Sequence, residues 1–172
     1  MKHIGLVFLV YSALILQISL HPQIMIRSVG PDFLTLTTAV AAFLLRGRTA
    51  IVWAAVIGLL ADTLAGGPLG VEMFCAVGVT FAFHTIVAPG NNRSWLPSLL
   101  LGFPFIFTLL FTSSAARGLI VGQHIDWAPL TDLSAWTAVY SALLFFVLLW
   151  LFTKGRQALT TFKNPSNEWS VP

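Results

Sequence analysis

The sequence predicts an all-α integral membrane protein, a single bundle of six transmembrane helices. Composition, the spacing of the apolar runs and the distribution of Lys and Arg each point to it. Of 172 residues, 57% are hydrophobic and only 9% charged, with mean hydropathy +0.87. A soluble domain carries about 25% charged residues, so this chain has too few to cover a water-exposed surface. Six helices of about 20 residues use roughly 120 positions. The remainder suffices for short loops and a short tail, with no second domain.

Taken in order, the spans fall at 4–20, 33–45, 50–64, 69–88, 95–116 and 133–152, giving a membrane domain over 1–152 and a tail over 153–172. The first resembles a signal peptide, with Lys2 before an apolar run. It is longer than a usual h-region, and no small-residue cleavage site follows in Ser19-Leu20-His21-Pro22, so it reads as a retained span. Asp32 stands where its carboxylate can N-cap the second span. That span is short, and it is either tilted against its neighbours or extended by the apolar patch at 24–29. Arg46-Gly47-Arg48 separates it from the third span, and Ala65-Gly66-Gly67-Pro68 makes a tight turn into the fourth. Pro104 lies inside the fifth span, where a missing N–H kinks a helix. A polar loop with Arg117, His124, Asp126 and Asp132 leads to the sixth, and a polar, loose tail follows.

The basic residues set the orientation. With the N-terminus inside, Lys2, Arg46, Arg48, Arg93, Lys154, Arg156 and Lys163 all lie on the inner side. Only Arg27 and Arg117 lie outside. Seven against two fits the positive-inside rule, and it holds only for an even number of spans. Trp95, Trp127, Trp136, Tyr140 and Trp150 fall near span ends, as interfacial aromatics do.

Three ionisable side chains lie within or beside the third and fourth spans: Asp62, Glu72 and His84. Such groups are costly in a membrane and mark sites by default. Glu72 falls in a first helical turn, where the dipole favours a carboxylate, so a capping or interface role stands beside a functional one. His84 reads as a structural histidine bonded to a carbonyl, or as a ligand or proton carrier. Asp62 is too deep for free solvation and too late for an N-cap. Its expected partners are Arg27, ranked ahead of Arg117, or the amides of the Gly66-Gly67 turn. A proton relay needs several acids in series, and the third span offers one. Cys75, the single cysteine, excludes an internal disulfide and reads as a small apolar residue. No hydrolase elbow, phosphate loop, metalloprotease helix or Cys/His array is present, so neither enzyme activity nor a cofactor or metal is expected. Small-residue seams recur every fourth position at Ala50, Ala54 and Gly58 and at Ser134, Ala138 and Ala142. They allow close helix packing, within the chain or against a partner's span. The turn at Gly66 and Gly70 is expected to be the tight packing element, with a larger residue at Gly70 overpacking the two spans.

The stretch Gly58-Leu59-Leu60-Ala61-Asp62-Thr63-Leu64-Ala65-Gly66-Gly67-Pro68-Leu69-Gly70 resembles the G-x-x-x-D-x-x-x-G-x-x-L-G pattern of the rod shape-determining MreD family. Gly58, Asp62, Gly66, Leu69 and Gly70 match without a gap, while Ala54 stands where the family often has another glycine. The convincing match covers about 28–80, and the rest agrees in hydropathy. The resemblance implies a non-enzymatic scaffold in the inner membrane, within the bacterial elongation machinery that builds peptidoglycan. Its implied partner is MreC, with the MreB filament and the RodA–penicillin-binding-protein synthase beyond. It also implies a fold similar to substrate-binding subunits of ECF-type vitamin transporters, and so a rival function in small-molecule uptake. Against the rival, the first span has Ala13 and Gln17 where a coupling face would carry paired alanines. The loops, moreover, offer few polar groups to converge on a vitamin.

Overall fold

The architecture comes from a computed structural model, which describes residues 2–24, 29–45, 47–66, 68–86, 95–122 and 126–163. Among these residues the chain is all-helical: α1 (Lys2–Ser19), a single turn α2 (His21–Ile24), α3 (Phe33–Leu44), α4 (Arg48–Ala65), α5 (Val71–Ile86), α6 (Trp95–Val121) and α7 (Trp127–Lys163). Stretches within α4, α6 and α7 are long and apolar enough to cross a membrane, while α1, α3 and α5 are shorter apolar helices.

The shortness of α3 follows from its position. At 12 residues it is about 18 Å long, and every residue from Phe33 to Phe43 is buried. A helix apolar all round belongs inside, and α3 touches α1, α4, α6 and α7. Its buried hydroxyls turn back on the helix: Thr37 donates to the Phe33 carbonyl at 2.7 Å and Thr38 to the Leu34 carbonyl at 3.0 Å. Asp32 caps it as the sequence led us to expect, accepting from the amides of Leu34 at 3.0 Å and Thr35 at 3.1 Å. The apolar patch expected to lengthen α3 enters α2 at Ile24, and residues 25–28, Arg27 among them, lie outside the described residues.

Around α3 the core divides in two. On one side Leu6, Val10 and Ala13 of α1 meet α3 and the Ala50 and Ile57 face of α4. On the other, Phe43 packs edge-on against Phe83 at 4.9 Å between ring centroids and Phe83 against Phe105 at 5.4 Å, with Phe145 5.4 Å from Phe43. Both small-residue seams turn inward: Ala50, Ala54 and Ala138 are at most 1% exposed. Cys75 is half-buried against this core.

Three helix ends depart from expectation. α6 continues to Val121, so Arg117 sits in a helix and not in the loop. α7 begins at Trp127 and runs 37 residues to Lys163, where a span over 133–152 and a loose tail were expected. Pro129 is tolerated because it falls in the first turn, where the missing N–H would have no helical partner. Beyond residue 152, Lys154, Arg156, Gln157, Ala158 and Leu159 are good helix formers, so polarity alone does not end the helix. α6 is also continuous across Pro104.

The tight helix contact lies at Gly58, not at Gly70. A Cβ on Gly58 would stand 2.6 Å from the Met73 Cα and 2.9 Å from the Glu72 carbonyl oxygen, both backbone atoms of α5. A Cβ on Gly70 would meet only the Phe74 ring, at 3.6 Å. The constraint at Gly70 is its φ of +96°, a conformation that L side chains avoid. Gly58→Ala is expected to destabilise by about 1–3 kcal/mol through overpacking, and Gly70→Ala by about 1 kcal/mol through backbone strain. Thermal unfolding of the purified variants in detergent checks the order. A Gly58→Ala protein as stable as wild type would refute the close approach.

Candidate functional site

The close approach at Gly58 places the N-terminus of α5 beside the last turns of α4. Gly66 ends α4 in the left-handed region at φ +62°, and Gly70 turns the chain into α5. Asp62, one turn before that end, is 2% exposed. Its carboxylate accepts from the amides of Gly70 at 3.0 Å, Glu72 at 3.0 Å and Met73 at 3.2 Å. These are amides of the entry into α5, where a helix has N–H groups without helical partners. They lie further along the chain than the Gly66-Gly67 amides that the sequence suggested. Asp62 therefore caps a helix from a neighbouring helix.

Among the described residues the cation at this carboxylate is Arg117. Its Nη2 lies 3.0 Å from Glu72 Oε2 and 3.4 Å from Asp62 Oδ1. The expected preference for Arg27 falls on a residue outside the described set. Arg117 reaches the acids because α6 extends through it, which lets the side chain fold inward between α4 and α5. Glu72, in the first turn of α5, is 7% exposed and bridges to Arg117 across the helix pair.

A second carboxylate joint lies at the same end of the bundle. Asp32 caps α3 and also accepts the Thr35 hydroxyl at 2.7 Å, while the Asp32 amide donates to Ser141 Oγ of α7 at 3.1 Å. The next amide, Phe33, donates to Gln17 Oε1 of α1 at 2.9 Å. The two joints between them engage all six main helices. Between them lies a cavity of about 510 Å³, with Gln17, Asp32, Glu72, Ser113, Ser114 and Arg117 supplying its polar wall. The sequence pointed to few convergent polar groups because only the loops were searched for them. The convergence arises from helix interiors and caps, not from loops.

Of the remaining residues, Leu69 is exposed on the turn. His84 sits about 18 Å further along α5 than Glu72, against the ring of Phe83 and far from the acidic cluster. Gln17, Ser113, Ser114 and Ser141 were missed as site residues. Gln17 carried a signal, since an amide side chain within an apolar span must find a partner. The serines carried none, because in apolar helices they read as small packing residues. Among the described residues no group of three or more His, Cys, Asp or Glu side chains is arranged to hold a metal ion.

Apolar helices long enough to cross a membrane, joined at one end by buried carboxylates, define a helical membrane protein. The particular family follows from sequence comparison. The family model described as rod shape-determining protein MreD matches residues 2–156, and the chain belongs to that family. No curated protein and no solved structure matches it. The family is one of rod shape determination, not one known for enzymatic activity.

Removing one member of a buried charge cluster costs about 3–5 kcal/mol, because the remaining charges lose their partner. Arg117→Gln leaves Asp62 and Glu72 facing each other and is expected to be the most damaging single change here. Adding Glu72→Gln should restore part of that loss, so the double variant melts above Arg117→Gln alone. Strict additivity of the two effects in a thermal double-mutant cycle would show that they do not interact.

Proposed function

We propose that this protein is a non-enzymatic membrane scaffold of the bacterial cell-elongation machinery, binding MreC and helping to organise the cell-wall synthase. The family match carries the reading, because it spans nearly the whole membrane domain. The wider assembly then comprises the MreB filament and the RodA–penicillin-binding-protein synthase. The motif Gly58, Asp62, Gly66, Leu69 and Gly70 serves in this reading to fix the α4–α5 pair, and partners dock elsewhere. Exposed apolar side chains on α1, such as Phe8 and Ile15, and on α7, such as Trp136 and Leu143, face outward from the bundle. They are available to lipid or to a partner's span.

In this proposal the protein has six spans in the bacterial cytoplasmic membrane, with both termini in the cytoplasm. The seven-to-two distribution of basic residues supports that arrangement. It puts the cavity and the α4–α5 turn at the outer face. Single cysteines introduced at Asn92 and at Asp126, in a Cys75→Ala background, are expected to label from opposite sides of the membrane. Equal labelling of both from outside intact cells would overturn the topology.

The cavity favours a second reading, an uptake subunit similar to those of ECF-type transporters. Affinity purification in mild detergent distinguishes the two. MreC is expected among the recovered proteins, and its absence alongside a transporter's coupling and ATPase subunits would transfer the assignment to uptake.

A further inference from the structure

Around the cavity between the two joints most acceptors are engaged, and donors are left over. Asp32 Oδ1 accepts from two amides and its Oδ2 from the Thr35 hydroxyl. Gln17 Oε1 accepts from the Phe33 amide, and Glu72 Oε2 faces Arg117. On the donor side, Arg117 reaches both acids through Nη2 alone, and its Nε is buried without an acceptor. The side-chain nitrogen of Gln17 and the Ser114 hydroxyl make no hydrogen bond to any described residue. Thr112 and Ser113, the neighbours of Ser114 on α6, turn their hydroxyls onto helix carbonyls. A buried donor left unbonded costs more than an ordinary hydrogen bond gains.

The wall therefore lacks an oxygen acceptor, and its other members decide which kind. Arg117 already faces the carboxyl groups of Asp62 and Glu72, so its charge is matched. An anion would also stand beside Asp32 and Glu72, which line the same cavity. A carbonyl oxygen is uncharged and has two lone pairs, enough for two donors. At about 510 Å³ the space lies in the range of organic ligand sites, about 300–1,000 Å³. A water fills about 30 Å³ and needs about two to four polar partners, which Ile18, Leu64 and Leu110 do not supply. Their hydrocarbon suits the carbon skeleton behind a carbonyl.

We propose that this cavity binds an uncharged ester or amide through its carbonyl oxygen. The oxygen sits against Arg117, Gln17 and Ser114, with the carbon skeleton along Ile18, Leu64 and Leu110. The carbonyl comes from one of two sources, an ester-linked neutral lipid or a small soluble amide. A lipid ester can reach it because the cavity lies where α1 and α4 end and α3 and α5 begin. That is an end of the bundle, the level of the polar zone that flanks a bilayer's hydrocarbon core. The inference rests on neither reading of function, and MreC binding is measured separately from ligand binding.

The test is thermal unfolding of the purified full chain in detergent. It is titrated with monooleoylglycerol, with oleyl glyceryl ether, which lacks only the carbonyl oxygen, and with N-acetylalanine amide. Stabilisation by the ester and not by the ether assigns the site to a lipid carbonyl. Stabilisation by the amide alone assigns it to a soluble one, and by ester and amide together to a carbonyl from either source. Ser114→Ala should weaken the effective ligand about fivefold, the loss expected of one neutral hydrogen bond. Ser114→Trp fills the cavity from a residue that bonds no member of the ion cluster, and should abolish the effect. Ala65→Phe, from the exposed end of α4, serves the same purpose if that variant does not fold. No shift with any of the three, a shift with the ether as large as with the ester, or a shift that survives filling of the cavity would each overturn the proposal.

Discussion

A carboxylate buried among apolar helices has to be fully engaged, and the geometry of Asp62 shows what that requires. Three amides from the start of α5 and one guanidinium nitrogen from α6 converge on its two oxygens. Each acceptor–donor bond fixes an element. The amides fix the register of α5 against α4, and that register needs the bare backbone of Gly58 beside Met73. The left-handed turns at Gly66 and Gly70 bring the chain back in so short a distance. Arg117 then ties α6 to the pair. Without Asp62 these features would have no common reason to coincide.

Asp32 repeats the device with different neighbours. It fixes α3 through its own cap, while Ser141 of α7 accepts from the amide just before that helix and Gln17 of α1 from the amide at its start. In both joints the group satisfied is the open N-terminus of a short helix, α3 or α5. In lipid no water can substitute for these partners. Shape determination by a family of such proteins is compatible with a fold whose polar capacity is spent on holding helices in place.

How far the sequence could be read depended on the range of each signal. The cap at Asp32 is local, since the acceptor and its amides are neighbours in the chain, and it was legible. That Asp62 needed a partner was legible from depth alone. Which partner it took was not, because Arg117 looked like a loop residue when polarity was used to end α6. Helix propensity continues through Ala115, Ala116 and Arg117, and only that continuation aims the guanidinium inward. The close packing at Gly58 was legible from its seam, but Gly70 was read as a packing position too, since spacing shows that a glycine is present and not whether space or dihedral angle requires it. The cavity was illegible because its wall is drawn from five helices.

The polar joints lie at one end of the bundle, and the opposite end has a different character. There Phe43, Phe83, Phe105 and Phe145 meet ring against ring, at centroid separations of 4.9–6.3 Å. Hydrogen bonds to fixed amides are directional and break on small displacements, whereas aromatic contacts tolerate sliding and tilting with little loss. The molecule is thus mechanically polarised, with a stiff collar at one end and a compliant barrel at the other. A lateral force on its helices would be taken up as splaying at the phenylalanine end, with the carboxylate end acting as the pivot.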